Sequence, residues 1–291
     1  MKPATFRYHA PATLTDALTL LSEYGDDAKV LAGGQSLVPI LAMRLSRFDH
    51  LVDVNRVDGL AGITRENGHL VVRAGTRQRA LERDESVAAH VPLLARAAPL
   101  IAHFQIRNRG TVGGSLAHAD PASELPAVAL ALGAEFDIAS ERGTRRADAA
   151  TFFESLWTTT LEPDELLVGA RFPVWSGRSG FGIREVARRH GDFAIAGAAC
   201  ALAADDDGRL ARAAIALFGV ASTPWRAADA EAALTGAIAT DVDAMEVAAA
   251  AVRGLDPTDD VHASGAARLA IAQHVVSLAL SDALAEVRDA R

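Results

Sequence analysis

Apolar residues follow two spacings that alternate along the first half of the chain. Thr13, a good N-cap, precedes apolar residues at helical spacing, namely Leu14, Ala17, Leu18 and Leu21. Short runs with the composition of strands occur at residues 6–9, 29–31, 51–54 and 69–72, the last after the hairpin-type turn Asn67-Gly68. A brief helix is expected at 37–43. This alternation predicts a mixed arrangement of strands and helices.

The middle of the chain continues this alternation. Apolar spacing predicts a helix from Ser86 to about Ala102, followed by an irregular glycine-rich segment at 110–119. Asp120-Pro121 predicts the start of a helix that ends near Gly133, because Asp is a preferred N-cap and Pro is preferred at the first helical position. Further strands are predicted at 134–139 and 166–172.

Small and turn-forming residues at 173–180 predict an exposed connector and a domain boundary. Beyond it the pattern predicts strands at 182–188, 194–204 and 210–221, and helices near 225–234, 241–253 and 263–288. The last helix carries one apolar stripe, which is expected to cover the sheet rather than to cross a membrane.

Composition narrows the classes of protein. The 291 residues suggest about two domains, and 50% hydrophobic against 23% charged residues exclude a disordered chain. The net charge of -8 argues against nucleic-acid binding. A single cysteine, Cys200, excludes a disulfide or an iron–sulfur cluster held by this chain, and its apolar surroundings predict a buried thiol. No signal peptide and no membrane span are evident, so a cytoplasmic location is expected.

Two diglycine pairs, Gly33-Gly34 and Gly113-Gly114, interrupt apolar sequence. Glycine lets backbone N–H groups approach a ligand closely, and consecutive N–H groups form an anion cradle that suits a diphosphate. The neighbouring Gln35, Ser36, Thr111 and Ser115 add polar donors. Neither pair matches the dinucleotide-binding or P-loop pattern, and either pair alone is equally consistent with an ordinary turn.

The sequences around these two glycine pairs are specific enough to indicate a protein family. Residues 29–37 read KVLAGGQSL and residues 106–121 read IRNRGTVGGSLAHADP. They resemble the two flavin-binding segments of the molybdenum hydroxylase family, and the chain is similar to the FAD-binding medium subunit of carbon monoxide dehydrogenase-like and xanthine dehydrogenase-like enzymes. Residues 188–194, RRHGDFA, resemble a further segment at the start of the C-terminal domain of that subunit, so the likeness spans the chain.

The resemblance implies an α+β fold. It would comprise a FAD-binding domain of the vanillyl-alcohol oxidase or p-cresol methylhydroxylase type, at 1–175, with two α/β subdomains at about 1–56 and 57–175. A smaller C-terminal α+β domain, at 181–288, would carry a three-stranded sheet with helices. FAD would be held noncovalently.

The resemblance also implies a set of cofactor-binding residues, while the absence of histidine pairs at helical spacing predicts no metal site. The set comprises Lys29, Val30, Leu31, Ala32, Gly33, Gly34, Gln35, Ser36, Leu37, Ile101, Gly110, Thr111, Val112, Gly113, Gly114, Ser115, His118, Asp120, Glu124, Leu167 and Arg184. Ile101 and Arg184 are expected near the flavin ring, Glu124 near the ribose or ribityl hydroxyls and Leu167 near the adenine.

Several of these residues depart from the family pattern or have a simpler explanation. Ile101 replaces an aromatic residue found in some relatives, Glu124 stands where Asp is common, and Arg184 replaces a frequent Lys. Asp120 is also explained as an N-cap, Glu124 as a charge that favours the helix dipole, and His118 as a buried histidine. Phe193 is expected in the core.

No local sequence pattern provides a catalytic residue, so the reactive group is expected to be the cofactor. The resemblance implies an electron-transfer flavoprotein that works with a small [2Fe-2S] subunit and a large molybdopterin subunit, as a dimer of heterotrimers, and passes electrons to NAD⁺, a quinone or oxygen. Two alternatives remain open at this point. One is a stand-alone flavin reductase of related fold, and the other is an assembly scaffold without flavin.

Overall fold

Three parallel strands form the first sheet of the computed structural model, which describes residues 2–289. The strands are β1 (Arg7–His9), β2 (Ala28–Leu31) and β3 (His50–Asp53), in the order β1-β3-β2. The connecting helices are α1 (Leu14–Tyr24) and α2 (Leu37–Ala42). Thr13 caps α1 by accepting a hydrogen bond from the Asp16 amide at 3.1 Å, as the sequence predicted.

Antiparallel strands form the second sheet, which has five members in the order β4-β5-β10-β6-β7. They are β4 (Ile63–Glu66), β5 (His69–Arg73), β6 (Glu135–Ser140), β7 (Gly143–Asp148) and β10 (Leu166–Pro173). Asn67 and Gly68 both have positive φ and join β4 to β5, as the hairpin signal predicted. A separate small hairpin pairs β8 (Phe153–Ser155) with β9 (Thr158–Thr159).

Seven short helices lie along the chain between β5 and β10. They are α3 (Gln78–Arg83), α4 (Glu85–His90), α5 (Pro92–Ala97), α6 (Phe104–Arg107), α7 (Val112–His118), α8 (Glu124–Leu132) and α9 (Ala149–Phe152). The single helix predicted from Ser86 to about Ala102 is divided into α4, α5 and a 3-10 turn, because Pro92 and Pro99 interrupt the hydrogen bonding of a continuous helix. Every residue of α8 is buried.

Two predictions around Asp120 were wrong. The glycine-rich segment that was expected to be irregular contains the helix α7, and the next helix begins at Glu124 rather than at Pro121. Ala119 has a φ of 52° and ends α7 in the left-handed conformation. The carboxylate of Asp120 accepts a hydrogen bond from the Ala122 amide at 2.9 Å, so it stabilises the turn between the helices instead of capping α8.

The C-terminal part contains an antiparallel sheet of four strands in sequence order, β11 (Arg178–Val186), β12 (Ala196–Ala204), β13 (Leu210–Phe218) and β14 (Trp225–Arg226). The first three correspond to the predicted strands, and β14 adds two residues. The helices are α10 (Ala228–Leu234), α11 (Ala244–Ala251) and α12 (Gly265–Asp289). Cys200 lies buried in β12, as expected.

The long helix α12 lies directly on β11. A Cβ at Gly180 or Gly182 would come within 1.9 Å or 2.0 Å of the carbonyl oxygens of Ala283 and Ala279, so glycine is required at both positions. Among residues 2–289, α12 alone has the length and apolar composition to cross a membrane, and half of its most apolar 18-residue window is buried in the protein. This burial agrees with the prediction that α12 covers the sheet.

Alternation along β11 separates two environments. Gly180 and Gly182 face α12, whereas Phe181 and Ile183 belong to the hydrophobic core formed with the N-terminal part. By this alternation Arg184 lies on the α12 face, and Glu185 faces the N-terminal part. The fold therefore assigns these two neighbouring charges to opposite sides of one strand.

Candidate functional site

The first diglycine pair lies in a loop, residues 32–36, between β2 and α2. Gly34 has a φ of 72°, which favours glycine. Within the described part of the chain, the main-chain N–H groups of Gly33, Gly34, Gln35 and Ser36 donate to no protein acceptor. Gly33 is buried and the next three residues are partly exposed, and four consecutive N–H groups without a protein acceptor form the kind of donor array that binds anions.

The second pair differs from the cradle that the sequence suggested. Thr111 is the N-cap of α7, and its Oγ1 accepts a hydrogen bond from the Gly114 N–H at 3.0 Å. The Gly113 N–H donates to the carbonyl of Ala74 at 2.8 Å. Both amides therefore already have protein acceptors. Gly113 is needed because a Cβ there would come within 2.4 Å of the Ala74 Cβ.

The two segments contact each other through their backbones. A Cβ at Gly33 would lie 2.5 Å from the carbonyl oxygen of Arg109 and 2.7 Å from the Cα of Gly110. A Cβ at Gly114 would lie 3.3 Å from the Cβ of Ala32. The absence of side chains at these glycines lets the two segments form one continuous surface.

A cleft of about 340 Å³ opens beside this contact. It is lined by residues 31–35, Val38, Pro39, Asp53, Asn55 and Arg109. Partial burial opposes ionisation of Asp53, but hydrogen bonds from the Tyr8 hydroxyl at 2.5 Å and from Asn55 outweigh it and lower the pKa of Asp53. Asp53 is therefore ionised at neutral pH.

Two of the expected site residues, His118 and Asp120, lie at the C-terminal end of α7 beside Trp157. The ring of His118 is nearly parallel to that of Trp157, with 7° between the planes and 6.4 Å between the centroids. Burial lowers the pKa of His118; the negative charge of Asp120 opposes this shift, and the positive charge of Lys29 adds to it. Asp120 accepts a hydrogen bond from the Trp157 indole N–H at 3.3 Å. Trp157 itself has a φ of 55°, a strained backbone conformation for a bulky residue.

Two carboxyl groups, the buried Glu124 and the partly buried Glu185, lie where the N-terminal part meets β11. Burial, together with the charge of Glu185, raises the pKa of Glu124 to about 8. Burial likewise raises the pKa of Glu185 to about 7, and its Oε2 has no hydrogen-bond partner among residues 2–289. Glu124 therefore carries a proton at neutral pH and can donate a hydrogen bond.

Ile101 is buried and precedes Ala102, which has a φ of 44°. The buried guanidinium of Arg107 donates through Nη1 to the carbonyls of Ile101 at 2.8 Å and Ala102 at 2.9 Å, and its Nε donates to Glu82 at 3.1 Å. These bonds hold the turn in place. Ile101 is thus fixed by a residue that the sequence reasoning did not select.

The structure does not bring Arg184 to the glycine segments. Its guanidinium is exposed and forms a two-point ion pair with Asp282 of α12, at 2.7 Å and 3.1 Å. Leu167 is buried in β10, where the register with β6 shifts. Phe193, which was expected in the core, is 67% exposed.

Sequence reasoning also missed Asn55 and Arg77. Asn55 follows β3, and polar residues at the carboxyl ends of parallel strands are a recognisable sign of ligand sites. Arg77 had no such sign, because only the fold brings its side chain to Asn55 and Arg109.

Comparison with known proteins adds independent findings. Residues 4–175 match the family described as FAD binding domain in molybdopterin dehydrogenase, and residues 182–283 match the CO dehydrogenase flavoprotein C-terminal domain. The chain is 43% identical to the 6-hydroxypseudooxynicotine dehydrogenase complex subunit alpha of Paenarthrobacter nicotinovorans, over 99% of this chain and 97% of that protein. It is 37% identical to the carbon monoxide dehydrogenase medium chain of Hydrogenophaga pseudoflava, over 98% and 99% of the two chains.

A solved structure agrees with these sequence matches. A chain of carbon monoxide dehydrogenase from Hydrogenophaga pseudoflava, in a form lacking the Mo-pyranopterin moiety, superimposes with a TM-score of 0.95 at 39% identity. The match covers 98% of this chain and 99% of that chain.

Proposed function

Because this chain belongs to the family of FAD-binding subunits of molybdopterin dehydrogenases, we propose that it carries electrons from [2Fe-2S] clusters of a small partner subunit to an external acceptor. FAD is its noncovalent cofactor, and the chain is an oxidoreductase subunit. The observation that supports its role most directly is the row of unpaired N–H groups from Gly33 to Ser36 beside the cleft.

The chemistry of this loop suits a diphosphate. Hydrogen bonds from N–H groups to a charged acceptor contribute about 1.5 to 3 kcal/mol each, so several together are enough to hold a dinucleotide. The side chain of Gln35 donates to the carbonyl of Gly33 at 2.9 Å and so keeps that oxygen engaged. The loop therefore offers N–H donors to an anion, while the carbonyl oxygen of Gly33 is already hydrogen-bonded.

The proposed contacts of the cofactor follow the two segments and the region beyond α7. They include residues 29–37 and 110–115, together with Ile101, His118, Asp120, Glu124 and Leu167. At the second segment the contribution is close approach rather than N–H donation, because the amides of Gly113 and Gly114 have protein acceptors. Arg184 has its own partner, Asp282, and is left outside this set.

FAD, when bound, exchanges electrons singly or in pairs, which suits a link between one-electron clusters and a two-electron acceptor. The residues of this chain bind and orient the cofactor and provide no catalytic side chain of their own. Glu124, protonated at neutral pH, is suited to donate a hydrogen bond to a cofactor oxygen. The proposed domains are 1–175, with subdomains divided near residue 56, and 181–288.

The proposed assembly contains a small [2Fe-2S] subunit and a large molybdopterin subunit, as a dimer of heterotrimers in the cytoplasm. The names of the relatives support a multi-subunit enzyme, since one is a subunit of a dehydrogenase complex and another is a medium chain. A stand-alone flavin reductase is the alternative, and it would reduce its substrate without any partner.

Coexpression with the products of the neighbouring reading frames tests the proposal. We expect the chain to copurify with two partner subunits and one FAD. In the complex, the substrate of the large molybdopterin subunit should reduce the flavin. The flavin of the isolated chain should stay oxidised when the same substrate is added. If the isolated chain instead turned over a substrate as fast as the complex does, the stand-alone reductase would be supported.

A matched variant isolates the role of this subunit. A complex assembled with a FAD-free Gly33→Ala chain should still bleach its iron–sulfur clusters on addition of substrate but should fail to reduce the external acceptor. Acceptor reduction at the unmodified rate by that FAD-free complex would contradict the proposed route.

A further inference from the structure

Two side chains outside the glycine segments, Asn55 and Arg77, connect those segments to each other. Asn55 Nδ2 donates to the carbonyl of Ala32 at 2.7 Å, and Arg77 Nη1 donates to the carbonyl of Arg109. A third bond joins the two side chains, because Arg77 Nη2 donates to Asn55 Oδ1 at 2.8 Å. A chain of hydrogen bonds thus runs from the first segment to the second.

The two accepting carbonyls both adjoin Gly33, the first residue in the row of unpaired N–H groups. A peptide unit is planar and trans, so the direction of its C=O also fixes the direction of the following N–H. Asn55 holds the carbonyl of Ala32 and therefore orients the N–H of Gly33 to the opposite side. Arg77 holds the carbonyl of Arg109, the oxygen that a Cβ at Gly33 would meet at 2.5 Å.

The orientation of the Asn55 amide is itself fixed. Its Nδ2 and its main-chain N–H both donate to Asp53 Oδ1, at 2.5 Å and 2.8 Å, while Asp53 Oδ2 accepts from the hydroxyl of Tyr8 at 2.5 Å. Arginine can only donate, so Asn55 Oδ1 must face Arg77 and Nδ2 must face Ala32. Position 55 therefore needs one donor and one acceptor on the same planar group, and aspartate lacks the donor.

Position 77 has an equally specific requirement. The guanidinium of Arg77 donates to two acceptors from two different nitrogens, one on each side of the contact between the segments. A lysine keeps the positive charge, but it presents a single nitrogen on a flexible stem and lacks the rigid fork. The guanidinium therefore sets the spacing between Asn55 and the carbonyl of Arg109.

We propose that Asn55 and Arg77 are positioning residues for the cofactor, acting through the main chain of the two glycine segments. This inference rests on the proposed role of those segments in binding the FAD diphosphate. Asn55 presents the first segment in the orientation that exposes its N–H groups, and Arg77 holds both Asn55 and the second segment in place. Loss of either bond leaves the fold in place but widens the range of loop conformations that binding must restrict.

The test is a FAD titration of the full-length apoprotein, monitored by flavin fluorescence, beside its thermal unfolding midpoint without FAD. Asn55→Asp removes the donor to Ala32, and Arg77→Lys removes the two-point bridge. Each should raise the FAD Kd by about 10-fold to 100-fold. This range corresponds to the loss of one hydrogen bond between a loop N–H and the charged diphosphate. Arg83→Lys, an exposed arginine at the end of α3, is the matched control and should leave the Kd unchanged.

A double variant distinguishes one linked device from two separate effects. Asn55→Asp with Arg77→Lys should bind FAD about as weakly as the weaker single variant, because either substitution already breaks the connection. Tyr8→Phe removes only the outermost hydroxyl and provides a milder variant that keeps the chain folded. It should raise the Kd by a smaller factor.

The possible results separate this inference from the proposed function. Failure of the unmodified chain to bind FAD would contradict the proposed function itself. Normal binding by the unmodified chain, with Kd values of both single variants within threefold of it, would overturn the positioning role alone. Fully multiplicative losses in the double variant, or unfolding midpoints that fall in parallel with affinity, would also overturn it.

Discussion

Gly33 lies against the backbone of Arg109 so closely that a Cβ on Gly33 would be 2.5 Å from the Arg109 carbonyl oxygen. The two residues are far apart in the sequence, yet this contact joins the segments on either side of the cleft. The contact cannot relax through a flexible side chain, because both partners are main chain.

Gly33→Ala should therefore separate the two segments and release FAD. We expect FAD content below about a tenth of the unmodified level and a loss of about 1 to 3 kcal/mol in unfolding free energy, typical of overpacking. Gly169→Ala is the matched control, because a Cβ there would be 3.6 Å from the nearest atom. Flavin absorbance and urea denaturation measure both effects, and a flavin-replete Gly33→Ala chain would contradict the proposed contact.

Thr111 should contribute to stability through its N-cap bond to Gly114. Thr111→Val has the same shape but leaves the Gly114 N–H without its acceptor in a partly buried site, which costs about 1 to 3 kcal/mol. Thr111→Ser keeps the acceptor and should lose much less. Chemical denaturation of both variants checks this, and equal losses in the two would show that the hydroxyl is not the cause.

Glu124 should make the chain less stable as the pH rises. Its pKa is raised from 4.5 to about 8 in the folded state, so the folded chain binds more protons than the unfolded chain between these values. Stability therefore decreases with increasing pH in that window, by at most about 1.4 kcal/mol per pH unit for one proton. The stability is fully present below pH 4.5 and the loss is complete above about pH 8.

Glu124→Gln should reduce this slope, because the amide does not titrate, while Glu185, whose pKa is raised to about 7, still contributes to it. Unfolding free energies measured by urea from about pH 5 to about pH 9 provide the comparison. Glu154→Gln, at an exposed position, is the control and should keep the slope of the unmodified chain. An unchanged slope in Glu124→Gln would mean that Glu124 is ionised in the folded protein throughout this range.

Arg184→Ala should have little effect on either stability or FAD. The Arg184 and Asp282 side chains are 53% and 38% exposed, and surface ion pairs of this kind contribute about 0 to 1 kcal/mol. We expect unchanged FAD stoichiometry and an unchanged flavin spectrum. A shifted spectrum or a lost cofactor would place the guanidinium at the flavin ring, as the family resemblance first suggested.

Cys200 should be inert in the folded chain. The thiol is completely buried in β12, and this burial, with smaller effects of Asp282 and Glu231, raises its pKa. A thiol reagent should therefore react only after denaturation. Rapid reaction of the folded chain would show that β12 opens under native conditions.

The sequence determined much of the local structure, and its resemblance to a known family indicated the chemical class of the site. Helical spacing after Thr13 and the hairpin turn at Asn67-Gly68 predicted local structure, because caps and turns depend on neighbouring residues alone. The two glycine strings indicated the flavoprotein family through their resemblance to its flavin-binding segments, and glycine itself marks positions where a backbone is approached closely. The sequence also predicted the buried state of Cys200.

Only the tertiary structure decided which donors are available and which residues act together. The amides of Gly113 and Gly114 are engaged by Ala74 and Thr111, so the two glycine pairs that look alike in the sequence have different roles. Glu185 and Arg184 are adjacent in the chain, but the alternation of β11 turns them to opposite faces. Hydrogen bonds between distant segments and the burial of a charge depend on the packing of the whole chain, and local sequence does not encode them.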